Sequence, residues 1–182
     1  RQLDHGSATD PRGGCRDPCE RAVGRMKRRV VEFDRLTAAF RNRNWPEVRM
    51  ASAHLSHFVA DTYMPLHATV NYDGRMTGND GIHGRMEVEL VGRYHAAPLV
   101  PAGPVFPVSN ATDWTFEELI RSWAVVRPVL EADAAARRAG PLDGEAYYAM
   151  LEHGVGHIVG ERLQGAGTAV ASFLAAAWEQ AG

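Results

Sequence analysis

Apolar residues recur at intervals of three and four through most of the chain, the spacing of helices that each bury one stripe. Val23, Met26, Val30, Val31, Phe33, Leu36, Ala39 and Phe40 form the first stripe, in a helix running from Glu20 with Pro18 suited to its first turn. Asn42 to Asn44 breaks it, and Trp45-Pro46 opens a second helix with Val48, Ala51, Leu55, Phe58 and Val59 inward, ending near Pro65. A polar loop over 68–81 holds Asn71, Asp73, Gly74, Gly78, Asn79, Asp80 and Gly81, after which helical spacing returns at Ile82 and lasts to about Tyr94.

A Pro-rich connector covers Pro98 to Pro107. Asp113 reads as the N-cap of the next helix, with Phe116, Leu119, Ile120, Trp123, Val126, Val129 and Leu130 on its buried side. Pro128 should kink it or start a new segment, and Gly140-Pro141 should end it. Glu145 to Gln180 reads as one or two closing helices, interrupted at Gly165 and Gly167. Residues 1–17, rich in Gly, Pro and Asp, read as an irregular lead-in, and no strand pattern or repeat stands out. The expectation is an all-α, bundle-like single domain over 1–182. Trp45, Trp114, Trp123 and Trp178 are expected to pack in it rather than to serve as stacking platforms.

Composition narrows the class further. At 182 residues and 45% apolar content the chain has material for one real core. A net charge of -2 points to no partner, and apart from the cluster Arg25 to Arg29 no basic stripe marks a nucleic-acid face. Thr168 to Trp178, the longest apolar stretch, is too short and alanine-rich to span a bilayer, so stable membrane insertion is not expected. Cys15 and Cys19, in Cys-Arg-Asp-Pro-Cys, read as a disulfide, as two reduced thiols, or as half of a zinc site with no second pair to complete it. We favour the disulfide, hence a secreted or periplasmic setting; the chain opens at Arg1, where a cleaved signal peptide would leave no trace.

The chemistry concentrates between residues 54 and 87. His57 and Asp61 are four apart on an expected helix, so their side chains share a face; His83 and Glu87 repeat the spacing, and His67 lies between the pairs beyond Pro65-Leu66. Zinc accepts imidazole nitrogen and carboxylate oxygen in one shell. One such pair on a helix is usually surface decoration; the repeat on consecutive helices, joined by a third histidine, is not easily explained that way. His57 and His67 also flank Phe58, Val59, Ala60 and Leu66, where an unpaired charge would be costly and ligation would offset the cost. His153 and His157 repeat the spacing with only Glu152 and Glu161 nearby, a weaker pattern; His54 and His95 read as an outer partner and as a helix-end residue.

The run Ser56-His57-Phe58-Val59-Ala60-Asp61-Thr62-Tyr63-Met64-Pro65-Leu66-His67 resembles the His-aromatic-x-x-Asp-x-x-x-Pro-x-His signature of the zinc-dependent phospholipase C and S1/P1 nuclease superfamily. Gly81-Ile82-His83-Gly84-Arg85-Met86-Glu87 is similar to its downstream His-x-x-x-Glu/Asp, and the likeness covers roughly 30–90. The resemblance implies the all-helical fold of that type and a cluster of two or three zinc ions. His67, His83 and Glu87 would hold one zinc, His57 and Asp61 another, and Asp61 would bridge to a third. It further implies phosphodiester hydrolysis, of phospholipid or of single-stranded nucleic acid, with a metal-activated water as nucleophile and Asp61 in the catalytic centre. Asn71, Tyr72 and Asp73 would border the substrate, and the lack of a basic face tilts the choice toward a small or lipid one.

The family's remaining ligands come from its N-terminal side: a leading Trp, an early His, then an Asp and a His. Here no Trp precedes Trp45; His5, beside Asp4, stands roughly where an early ligand would fall. Three readings stay open: an N-terminal part that is missing, fewer metals, or a non-catalytic metal-binding relative.

Overall fold

A computed structural model describes residues 18–97 and 103–182, with side chains from residue 30 onward. The described residues are helical with no strand: α1 (Pro18–Arg41), α2 (Trp45–Asp61), short 3-10 turns at Pro65–Ala68 and Arg75–Thr77, α3 (Ile82–Gly84), a π-helical segment (Arg85–Leu90), α4 (Val91–Tyr94), α5 (Ala111–Ala124), α6 (Val126–Ala136) and α7 (Glu145–Ala181). The all-α expectation holds. Among the described residues no helix is long and apolar enough to cross a membrane.

Most boundaries follow local chemistry. Asn44 caps α2 by accepting from the Glu47 N–H at 3.3 Å, and Pro46 occupies the first turn, where no N–H is needed. The cap of α5 is Asn110 rather than the expected Asp113: its side chain accepts from Thr112 N at 3.0 Å and Asp113 N at 3.2 Å, and its amide donates to the Asp113 carboxylate at 2.7 Å. Both residue types cap well, so their sequence positions alone did not separate them. Pro128 sits in the first turn of α6, so a new segment starts there.

α7, 37 residues and roughly 55 Å long at ~1.5 Å per residue, packs against α1, α2 and α6. Its second half closes one core with Phe33 and Leu36 of α1 and Leu55 and Val59 of α2, through Ala169, Phe173 and Ala177. Its first half closes another with Leu66, Ile82, Met86, Leu90 and Val129, through Tyr147, Leu151, Val155 and Val159. Each large side chain so buried contributes about 1.5–3 kcal/mol. The chain passes from the first core to the second between Val59 and Leu66.

Several expectations fail here, in whole or in part. α7 is unbroken through both glycines: at Gly165 a Cβ would lie 2.6 Å from the Tyr63 ring, and Gly167 faces open space. The expected inner face of α5 is partly inverted: Phe116, Ile120 and Trp123 are exposed, while Thr115, Glu118 and Ser122 are buried. Tryptophan packing holds for Trp114, against the first core, and for Trp178, edge-on to Phe40 with ring centroids 5.2 Å apart, whereas Trp45 and Trp123 are more than half exposed. Val31 of the α1 stripe also faces solvent.

Candidate metal centre

The passage between the two cores is where the ligand-type residues gather. Asp61 ends α2, and His67 sits on the 3-10 turn that Pro65 and Leu66 press into the second core. His83 lies on α3 and Glu87 on the π-helical segment, both on the side away from buried Ile82 and Met86. A π segment widens the helical turn, and such segments concentrate at functional sites.

His67, His83 and Glu87 each offer a ligand atom within 4.8 Å of the others, the one such grouping of three among the described residues. His67 Nε2 is 3.0 Å from His83 Nε2 and 3.9 Å from a Glu87 carboxylate oxygen, and His83 Nε2 is 2.9 Å from that oxygen. Tetrahedral zinc with bonds of about 2.0–2.1 Å puts neighbouring donor atoms about 3.3 Å apart, so these separations bracket the required one.

The donor chemistry fits as well. His67 Nδ1 is 3.2 Å from the Asp61 carbonyl oxygen, which only accepts, so Nδ1 carries the proton and donates. In the neutral ring that leaves the Nε2 lone pair aimed at His83 and Glu87. Burial holds the His67 imidazole below its usual range, against the pull of the Asp61 and Glu87 carboxylates, which favours the neutral, ligating form. A carbonyl or carboxylate behind the distal nitrogen is the common outer support of a metal-bound histidine.

Asp61 and His57 occupy a different position from the other three. One Asp61 carboxylate oxygen lies 3.6 Å from His67 Nδ1, behind the ring, and the other lies 3.7 Å from His57 Nε2. His57 is exposed, its side chain at 69% of full accessibility. Of the five ligand-type residues in the signature, three converge, and Asp61 with His57 forms an adjoining pair. His5 and Cys15 lie outside the described residues, as does the Cys19 side chain.

The remaining expectations sort plainly. Tyr72 stands edge-on to His83, ring centroids 5.7 Å apart, and is the loop residue that borders the centre. Asn71 braces the loop instead, accepting from Met76 N at 2.9 Å and donating to Thr77 Oγ1 at 2.9 Å, while Asp73 pairs with Arg75. His54 faces Glu32 and Arg35 on α1, and His95 meets Glu152 at 3.1 Å, so neither supports the centre. His153 and His157 are exposed on α7 and join no ligand group.

Two buried ionic networks flank the centre, and sequence reasoning missed both. Arg162 on α7 pairs with Glu118 on α5, donates to Tyr63 O at 3.1 Å and Ser122 Oγ at 2.6 Å, and lies over the Tyr63 ring; Ser122 in turn donates to Thr62 O. This fixes the chain just after Asp61. On the other side, Asp133 of α6 receives Arg85, Arg137, Asn79 and Tyr147. For Asp133 the available signal was a carboxylate on the apolar stripe of α6, one turn after Val129 and Leu130; Glu118 and Ser122 lie off the apolar stripe of α5 and carried no such signal.

Compared with protein-family models, with curated proteins and with solved structures, the chain matches none.

Proposed function

We propose that this chain is a zinc-dependent phosphodiester hydrolase of the phospholipase C and S1/P1 nuclease type, acting on phospholipid or single-stranded nucleic acid. The observation that carries the reading is the convergence of His67, His83 and Glu87, their ligand-type atoms within 4.8 Å of one another, with the Asp61 carbonyl and carboxylate behind His67. Zinc bound there supplies Lewis-acid polarisation of a phosphoryl oxygen and acidification of water. The protein's own part is to hold His67 in the Nδ1–H tautomer through Asp61, and to present Glu87 and His83 on one helical face with Tyr72 at the margin. Asp61 and His57 are the residues that would extend the centre to a second or third ion, and His5 is the N-terminal candidate to complete it. The exported setting goes with the Cys15–Cys19 disulfide and is part of the same proposal.

A second reading, a non-catalytic metal-binding domain, is favoured by one feature: three ligands converge while Asp61 stands behind His67 rather than among them. Elemental analysis separates the two. The purified protein is expected to carry two or three zinc ions, to hydrolyse a phosphodiester, and to lose that activity on chelation. The double change His67→Ala with His83→Ala is expected to remove at least one equivalent of zinc. Unchanged metal content in that variant sinks the metal centre; a single zinc with no turnover of a phospholipid or a single-stranded oligonucleotide leaves the non-catalytic reading.

A further inference from the structure

Between His83 and Glu87 lies Arg85, two residues from each, and on a helix that spacing turns its side chain to the opposite face. There it enters the protein. Its Nε donates to Tyr147 OH at 2.8 Å, one terminal nitrogen donates to Asp80 O at 2.8 Å, and the other reaches Asn79 O at 3.3 Å and Asp133 at 3.1 Å. The guanidinium therefore ties the ligand helix to the turn before it, to α6 and to α7 at once.

Asp133 is the hub of that arrangement. Its side chain is fully buried. One carboxylate oxygen accepts from Arg85 and from the Tyr147 hydroxyl; the other accepts from Asn79 Nδ2 at 2.7 Å and Arg137 Nε at 2.7 Å. Arg137 also donates to Asp80 O at 2.9 Å, and Asn79 Nδ2 lies 2.9 Å from Leu130 O. The turn at 79–81 is thus held from both sides as it delivers the chain into α3, through Gly81 at φ +77°. Every partner of Asp133 is a donor, so the position calls for a group that only accepts, and a carboxylate is that group.

We infer that Asp133 is a positioning residue for the His83–Glu87 ligand pair, acting through Arg85 and the 79–81 turn. The inference rests on the metal reading above. Asp133 contacts none of the three ligands in the bonds just described; it fixes the backbone from which two of them project. Asparagine at 133 keeps the size, but its amide must present N–H groups to two donors, so Arg85 or the turn has to move. Outer-shell changes of this kind typically lower metal affinity about 10–100-fold.

The test is zinc affinity of the whole chain, measured by competition with a chromophoric chelator, and the visible spectrum after loading with cobalt(II), which reports coordination geometry. Asp133→Asn is expected to lose about 10-fold or more in zinc affinity and to change the cobalt spectrum. Val129→Ala, which trims a core residue one turn earlier on α6, is expected to lower thermal stability while leaving both readouts as in the unsubstituted protein. Where Asp133→Asn gives no helical protein by circular dichroism, Arg85→Lys takes its place with the same expectation, since one ammonium cannot serve Tyr147, Asp80 and Asp133 together. A folded Asp133→Asn or Arg85→Lys variant with unaltered zinc affinity and cobalt spectrum overturns the inference, as does an equal loss of affinity in Val129→Ala. An unsubstituted chain that binds no zinc overturns the metal reading itself, a different outcome from the first two.

Discussion

Arg162→Met tests whether the buried network beneath Tyr63 holds the fold together. Glu118 is almost fully buried, its side chain 4% accessible, and Arg162 is 16% accessible. Removing one partner of a buried ion pair typically costs about 3–5 kcal/mol, because the other charge is left in a poorly solvated place. Two local facts adjust that figure. Glu118 keeps a second partner, since Arg121 donates to it at 3.0 Å, which points to the lower end. Against that, the carbonyl of Tyr63 and the hydroxyl of Ser122 lose their donor, and the Tyr63 ring loses a cation 4.7 Å from its centroid. A loss of about 3–4 kcal/mol is the result. For a chain of this length 1 kcal/mol corresponds to about 2–4 °C, so the melting temperature should fall by roughly 10 °C.

Thermal and urea unfolding, followed by circular dichroism, measure this directly. A companion variant separates the charge from the shape: Arg162→Met with Glu118→Leu removes both ions and should recover part of the loss. A fall of less than about 2 °C in Arg162→Met would refute the reasoning, because the network would then contribute no more than an exposed pair does.

Two further outcomes follow from packing and from charge. Gly165→Ala should destabilise by about 1–3 kcal/mol, since its Cβ would meet the Tyr63 ring, whereas Gly167→Ala, with nothing within 4 Å, should stabilise by up to about 1 kcal/mol through helix propensity; opposite shifts in melting temperature check the pair. Burial pushes the Asp133 carboxyl up, but the bonds from Tyr147, Arg137 and Asn79 and the Arg85 charge outweigh it and hold the group below the ordinary range. A depressed carboxylate gives stability that is present above its unfolded pKa of about 3.9 and is lost as pH falls through the folded value. The stability gap between the unsubstituted protein and Asp133→Asn should therefore narrow below about pH 4, and a gap that is equal at pH 7 and pH 3 would contradict it.

Helices were legible because their signals are local. Stripes such as Phe33, Leu36 and Ala39, or Ala51, Leu55 and Val59, announce both the element and its inner face, and Trp45-Pro46 marks a start. α5 misled for a physical reason. Its apolar residues Phe116, Ile120 and Trp123 share a stripe, but its polar side is taken up by a partner far along the chain, Arg162, and no local pattern announces a long-range ion pair. The same holds for Gly165, whose role depends on Tyr63 and not on its helical neighbours. Spacing singled out five candidate residues, of which the fold brings the ligand-type atoms of His67, His83 and Glu87 within 4.8 Å of one another. What spacing could not reach is direction: nothing in an i, i+4 pair says that Asp61 faces the back of the His67 ring.

That direction makes Asp61→Asn the sharpest measurement on the centre. If Asp61 joins two metals, as the family resemblance implies, its negative charge is part of the ligand set; asparagine keeps the size, removes the anion, and should drop the zinc content by at least one equivalent. If Asp61 only supports His67, through the backbone carbonyl at 3.2 Å and the carboxylate oxygen at 3.6 Å, the carbonyl survives the change. One zinc would then stay on His67, His83 and Glu87, held about 10–100-fold more weakly. The two roles differ in stoichiometry, not only in strength. Under the proposed multinuclear hydrolase the variant should remain helical, hold fewer zinc ions, and turn over neither a phospholipid nor a single-stranded oligonucleotide. Full zinc content with full activity would remove Asp61 from the reaction altogether and, with it, the case for a centre larger than the three converging ligands.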